Sequence, residues 1–430
     1  MRVLLIGSGG REHALAYGLL KDPVLTALHV APGNPGIATL HGVVSPILYN
    51  ISIDDHQKLL ELAQLEKIDL VVVGPEKPLV DGLSDLFRAN NIAVFGPNSD
   101  AAQLEGSKHF AKEIMAQADV PTAKSFTCTT EQEIDAALDF FEPSGNPFVI
   151  KHDGLAAGKG VVVTLDRAEA KAHALLSNRN VIEEYLDGPE VSLFGISDGT
   201  NVVAMQPAQD FKRVGDGDLG PNTGGMGAYS PLPWLTTHPT TGESIVEEVH
   251  RTILMPMIKT MADRGTPFVG LLYAGLAITK NGIRVIEFNA RFGDPETQVL
   301  LPRLKTPLAT LLHRAATGAI APDETLEWSD EAAVTVVLAS EGYPESPKTG
   351  EPITGAEQAA NEKDSIVFHA GTKLVDSILN SAGGRVLTVT GLGTNLAAAR
   401  SVAYERISSI TLRGSHYRRD IALRASESQG

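Results

Sequence analysis

Short apolar runs alternate with amphipathic stretches along the first hundred residues. Residues 2–6 (RVLLI) end at Gly7, and REHALAYGLL from Arg11 repeats its apolar positions at helical spacing. Further apolar runs fall at 27–31, 69–73 and 92–95, with helix-like stretches at 56–66 and 82–90 between them. This alternation predicts parallel strands joined by crossover helices, an open α/β sheet. The segment GPNSDAAQLEGSK interrupts it, which bounds a first α/β domain at residues 1–102.

A second domain is expected over 103–320. It begins with a helix over 104–118 that stops at Val120-Pro121. Residues 121–187 are compact and punctuated by glycine, with strands near 147–151, 160–165 and 180–185 and a helix near 166–177, and they suit a mobile lid. Strands near 191–196 and 201–207 follow, then a helix over 243–263 and a hairpin, LLYAGLAITKNGIRVIEF, turning at Asn281-Gly282. Residues 319–330 read as a linker. After it, AAVTVVLA, SIVFHAGTK and GGRVLTVTG predict strands and 394–408 a helix, a small C-terminal α+β domain at 328–424. No repeat period stands out.

The totals narrow the class of protein. With 43% hydrophobic and 20% charged residues the chain reads as soluble and globular, long enough for several domains. A formal net charge of -16 opposes attraction to nucleic acid or anionic membranes, yet leaves small phosphorylated substrates open. Cys128 is the only cysteine, so an intrachain disulfide and a cysteine-based zinc cluster are excluded. No apolar run reaches the roughly 18 residues of a membrane span. The N-terminus lacks the features of a signal peptide, so cytoplasm is expected.

Four stretches carry candidate chemistry. KHDGLAAGKGVVV, from Lys151, approaches a Walker loop, but Gly154 and Gly158 are separated by three residues where four are needed. GSGGREH, after the first strand, suggests an anion at a helix start, with Arg11 and His13 favouring phosphate over a bare turn. A dinucleotide fits poorly: Glu12 replaces the last fingerprint glycine, and the second strand ends in Ala31-Pro32-Gly33-Asn34 without an acid for the ribose. In VIEFNARFGDPE, alternation places Glu287, Asn289 and Arg291 on one strand face. Glu287 and Asn289 could offer magnesium two oxygens, or the face could be a polar strand edge. Asp294 and Glu296 suit acid/base work or turn formation equally. GPNTGGMGAY (Gly220–Tyr229), with Asn222 and Thr223, reads as backbone approaching a ligand or as a linker.

These residues resemble the ATP-grasp ligases, and among them the phosphoribosylamine–glycine ligase family. The resemblance spans nearly the whole chain through GSGGREHA, APGNPG, VVGPEKPLVDG, FGP, AAQLEGSK, KHDGLAAGKGV, VIEEYLDGPE, KRVGDGDLGPNTGGMGAYSP, EFNARFGDPETQ, FHAGTK and GGRV, in that order. It implies an N-terminal α/β domain, an ATP-grasp core with a mobile lid, and a small C-terminal domain. It also implies ligation of glycine to 5-phosphoribosylamine through glycyl phosphate, with ATP as co-substrate and Mg²⁺ or Mn²⁺, in a monomer or weak dimer. Gly158, Lys159 and Gly160 would belong to the loop covering the ATP phosphates. Lys151 and Lys108 would meet those phosphates. Glu183, Glu184 and Leu186 would form the adenine hinge, with Glu183 accepting from the amino group, and Glu190 would hold the ribose. Glu287 and Asn289 are the implied metal ligands, and Arg291 and Asp294 the catalytic pair. The amino-acid pocket would be lined by Asn222, Thr223, Gly224 and Gly225, with Asp210 and Arg213 nearby. The phosphoribosylamine phosphate would lie against Gly9 and Gly10, aided by Lys373 and Arg385.

Three departures stand out. His152 occupies a position where many relatives have alanine, LDRAEAKAHALLSNRN lacks a small glycine-containing insertion, and LLYAGLAIT lacks the acidic metal ligand common on that strand. Three competing functions are an ATP-grasp enzyme activating formate or bicarbonate, a nicotinamide-dependent oxidoreductase, and a non-catalytic nucleotide-binding regulator.

Overall fold

The computed structural model describes residues 1–155, 160–236, 243–357 and 364–427. The N-terminal alternation produces a five-stranded sheet, all parallel. Its order across the sheet is Pro46–Leu48, Ala27–Pro32, Arg2–Gly7, Leu70–Val73, Ala93–Phe95. Val3, Leu4, Leu5 and Ile6 are fully buried, as a strand covered on both faces requires.

Two helices, Ser99–Gly106 and Lys108–Gln117, replace the single one expected over 104–118. Ser107 divides them: it is extended, and its side chain caps the second helix by accepting from the Phe110 N–H. The Ser107 hydroxyl also donates to Asp153, fixing the start of that helix against the end of strand Phe148–His152.

The 121–187 segment contains the three expected strands and the expected helix, and adds strand Ser125–Cys128 and helix Glu131–Phe141; its antiparallel sheet is ordered Ser125–Cys128, Asn180–Glu183, Phe148–His152, Val161–Thr164. Helices Glu131–Phe141 and Arg167–Ala174 cover it, and Cys128, Ile134, Leu138, Phe148, Ile150 and Ile182 form a core of its own. His152 stacks on His173 at 4.1 Å and 13°. Next to Lys151 in a strand, it points to the opposite face and packs within the lid.

The central sheet is antiparallel, ordered Val202–Ala204, Glu190–Asp198, Val269–Thr279, Gly282–Asn289. The expected helix over 243–263 is present, with a π turn at His250–Leu254 ahead of Pro256, which has no N–H to donate. Residues 319–330 are docked rather than free, since Ser329 N–H donates to Arg303 O and Lys305 N–H to Glu327 O.

The C-terminal sheet is not built from C-terminal residues alone. Its order is Gln209–Asp210, Gly227–Ser230, Ala332–Ala339, Arg385–Gly393, Ser365–His369, with helix Leu396–Ser408 packed on it. Strand Gly227–Ser230 pairs Gly227 with Val336, so the glycine-rich run is structural as well as a loop. Among the described residues no helix is long and apolar enough to cross a membrane.

Candidate active site

A register shift at Ile286 in the pairing of strand Gly282–Asn289 separates Val285, which is buried, from Glu287 and Asn289, which alternate with buried Phe288 and stay partly open. Four cations surround Glu287. Burial alone would raise its carboxyl, but Lys212, Lys151, Lys108 and Arg291 together hold it below the ordinary value. It is therefore an anion at neutral pH. Asn289 Oδ1 lies 3.5 Å from an Arg291 nitrogen. One carboxylate and one amide oxygen suit a magnesium-like ion that keeps phosphate and water in its shell. Among the described residues no cluster of three His, Cys, Asp or Glu could hold a metal by itself.

Arg291 bridges two carboxylates of the N-terminal half, Glu76 at 3.3 Å and Glu105 at 3.1 Å. Burial would lower its guanidinium; Glu105 and Glu76 raise it further above the ordinary value. Glu105 also accepts the Ala290 N–H at 2.7 Å. Neither acid was singled out by sequence reasoning, although both lie in quoted motifs, VVGPEKPLVDG and AAQLEGSK.

The lysines converge on the same cleft. Lys108, first residue of its helix, donates to Gly154 O at 2.8 Å. Lys151 is 4% exposed and donates to Ile286 O at 2.8 Å, next to Glu287. Gly160 O accepts from His152 N–H. Gly158 and Lys159 lie outside the described residues.

The hinge differs from expectation. Glu183 does not face an adenine site: it is 3% exposed and paired with both Lys151 and Lys112. Glu184 binds Arg284 at 2.7 Å and the Lys124 N–H, joining the lid to the central sheet, so its carboxylate is also occupied. Leu186 lies half-buried in the segment after strand Asn180–Glu183. Glu190 pairs with Lys212 at 2.7 Å, which is the leading cause of its lowered pKa. Lys212, absent from the expected set, is a central cation of the cleft. Burial would lower its ammonium, but Glu190 and Asp210, then Tyr273 and Glu287, push it well above its ordinary value.

Beside Lys212, burial pushes the Asp210 carboxyl up to about 7; Lys212 opposes this, and Glu296 and Glu190 add to it. The folded protein thus holds a proton that the unfolded chain releases, and Asp210 costs stability as pH rises from about 4 towards 7. Asp210→Asn is expected to raise the Tm at pH 8 and leave it unchanged at pH 4, as thermal unfolding at the two values would show. An equal shift at both would contradict the assignment.

The substrate loop is pinned from several sides. Thr223 bonds to Lys212 O through its N–H and hydroxyl, at 2.7 and 2.8 Å. Gly224 N–H donates to the Tyr343 hydroxyl. Gly225 has φ +109, and a Cβ there would sit 2.5 Å from Pro295 Cδ. Arg213 pairs with Asn222 across a short hairpin and donates to Gly220 O, so it holds the loop rather than facing a ligand. Arg385 likewise donates to Gly224 O at 2.5 Å and Asp294 O at 2.7 Å, and pairs with the Asp294 carboxylate at 3.2 Å. Arg385 is thus engaged with the loop and with Asp294. Lys373 sits exposed on strand Thr372–Val375 and is not drawn into this cluster. Burial would raise Asp294, but Arg385 and Arg11 hold it below its ordinary value, which excludes it as a proton donor near neutrality.

The N-terminal glycines serve another purpose than the one expected. Gly9 N–H donates to Glu12 at 2.6 Å. A Cβ at Gly7, Gly9 or Gly74 would fall within 2.8 Å of the Glu12 side chain. The turn therefore accommodates a buried carboxylate, and the Gly9 amide is already engaged; Gly10 packs on Gln298. Glu12 pairs with Arg11 at 2.6 Å, in the space a dinucleotide pyrophosphate would need. His13 accepts the His369 N–H at 2.8 Å, and burial foremost, with His369, holds it neutral, an anchor for the C-terminal domain.

A separately cored lid sheet facing a central sheet across paired lysines and a Glu-Asn hairpin defines an ATP-grasp enzyme, which uses ATP with a divalent metal. Comparison with known proteins narrows this. Residues 1–105, 106–297 and 333–424 match the N domain, the ATP-grasp (A) domain and the C domain of phosphoribosylglycinamide synthetase. The chain is 57% identical over 428 residues to a phosphoribosylamine–glycine ligase of Streptomyces coelicolor, covering 99% of this chain and 100% of that one. It is 53% identical to that of Corynebacterium ammoniagenes, with 99% and 98% covered. A crystal structure of phosphoribosylamine–glycine ligase from Thermotoga maritima matches with a TM-score of 0.80 at 32% identity, over 98% of this chain and 100% of that one. A biotin carboxylase from Campylobacter jejuni, at 14% identity and a TM-score of 0.70, shares the fold, over 97% of this chain and 93% of that one. The chain belongs to the phosphoribosylglycinamide synthetase family.

Proposed function

We infer that this enzyme ligates glycine to 5-phosphoribosylamine with ATP, giving glycinamide ribonucleotide, ADP and phosphate in purine biosynthesis. The observation that carries the residue-level reading is the convergence of Lys108, Lys151, Lys212 and Arg291 on the ionised Glu287. A glycine carboxylate is a poor electrophile, so its oxygen first takes the γ-phosphoryl group, releasing ADP. The phosphoribosylamine nitrogen then attacks the carbonyl of glycyl phosphate, the C–O bond to phosphate breaks, and the amine loses a proton.

Positioning and charge neutralisation dominate such transfers. Lys108 and Lys151 bind the nucleotide phosphates. Leu186 supplies backbone contacts to adenine in place of the Glu183 carboxylate, and Glu190, oriented by Lys212, takes the ribose hydroxyls. Glu287 and Asn289 would hold Mg²⁺ or Mn²⁺, which neutralises phosphate charge when bound. Arg291 stabilises charge on the transferring group. Asp294 stays ionised and, with residues 222–225, accepts from glycine's ammonium. The phosphate of phosphoribosylamine is placed towards Gly10, with the exposed Lys373 as a candidate cation. We place the enzyme in the cytoplasm, as a monomer or weak dimer.

The test is transfer of label from glycine bearing ¹⁸O in its carboxylate. One ¹⁸O in the released phosphate per turnover supports the acyl phosphate route; unlabelled phosphate with ¹⁸O retained in product and water excludes it.

A further inference from the structure

Lys112 follows Lys108 by one helical turn, yet its ammonium is engaged by groups of the protein itself. Its ammonium is ion-paired with Glu183 Oε2 at 2.6 Å and donates to the Thr122 hydroxyl at 2.9 Å and to Ala123 O at 3.2 Å, so it is held from three sides. Its side chain is 11% exposed. Contact with a nucleotide would break this set.

The other oxygen of Glu183 meets Lys151, which also donates to Ile286 O. The buried group is thus two ammoniums around one carboxylate, with net charge of one positive. Removal of Lys112 would leave a carboxylate that fully neutralises Lys151 and holds its ammonium back. In the intact triad Lys112 satisfies Glu183 and leaves positive charge at Lys151 for a ligand.

We propose that Lys112 is a positioning residue of the nucleotide site, acting through Glu183 to keep the Lys151 ammonium available to the ATP phosphates. This rests on the reading that Lys151 meets those phosphates. The competing role is mechanical: Lys112 holds Thr122 and Ala123, and the Thr122 hydroxyl donates to Val285 O at 2.6 Å, so it could simply fasten the lid to the central sheet.

The two roles separate in a charge-compensated pair. Lys112→Met, Glu183→Gln, Lys112→Met/Glu183→Gln and Lys151→Met are compared in the full-length enzyme by ADP release. Lys112→Met is expected to raise the KM for ATP about tenfold or more while the KM for glycine changes less than about twofold. The double variant restores one positive charge and is expected to return the ATP KM to within about threefold of wild type. A fastening role predicts no rescue, because the methionine still releases Thr122 and Ala123. An unchanged ATP KM in Lys112→Met, or a folded double variant no better than it, overturns the proposal. If Lys112→Met does not accumulate as folded protein, the double variant decides: a near-wild-type ATP KM supports the proposal, and one as high as that of Lys151→Met overturns it. Lys151→Met with a wild-type ATP KM would instead remove the underlying Lys151 reading, whatever Lys112 does.

Discussion

Glu287→Ala is expected to lower kcat by about a thousandfold or more without unfolding the protein. Glu287 is the one carboxylate on the cleft side of the hairpin, and four cations are arranged around it. Without it, the divalent ion keeps one protein ligand, Asn289, and the cations repel one another. Among the described residues no hydrogen bond ties its carboxylate to the fold, so the variant loses only the pull of the cations and stays folded. ADP release over a range of metal concentrations, with circular dichroism as the folding control, checks this. Turnover within tenfold of wild type would remove Glu287 from the metal site.

Arg291→Met is expected to reduce kcat by a similar factor and, unlike Glu287→Ala, to destabilise the protein. Its guanidinium joins Glu76 and Glu105, the latter only 8% exposed. Stripping a buried pair of one partner costs about 3–5 kcal/mol when the remaining charge has no escape. Glu105 does have one, since burial already raises its pKa against the pull of Arg291, and without Arg291 it would rise further. A carboxyl with a raised folded pKa loses stability as pH climbs above its unfolded value. The Tm deficit of Arg291→Met should therefore widen from pH 5 to pH 8. A constant deficit would mean that Glu105 is not the group left unpaired.

Local pattern made much of the fold legible. The 2-residue and helical periodicities located the hairpin, the C-terminal helix and most strands of the parallel and lid sheets, but not the short strands Pro46–Leu48 and Ser125–Cys128. They could not show that Gln209–Asp210 and Gly227–Ser230 join a sheet whose other three strands begin about a hundred residues later, because the distant partner of a short strand leaves no local mark. Alternation along one strand was enough to place Glu287 and Asn289 on one partly open face, with Arg291 just beyond the strand end beside Asn289.

The expected ligand contacts that are engaged with protein groups share a cause. Glu183, Arg213 and Arg385 were read as ligand contacts from type and motif, yet each meets a distant partner: Lys112 and Lys151, Gly220 O, and the Gly224–Asp294 carbonyls. Lys212 was overlooked because a lysine within a glycine-rich loop looks like solvated charge. The GSGG turn misled in the opposite direction. Its glycines make room for Glu12, the residue that had counted only as a departure from a dinucleotide fingerprint.

The most direct measurement is ADP release from ATP with a divalent metal, with glycine and freshly generated 5-phosphoribosylamine present together and singly. Fast release only with both, matched mole for mole by glycinamide ribonucleotide, is the expected result. Folded enzyme that releases no ADP with both substrates, or forms product with formate or bicarbonate in place of glycine, would contradict the account.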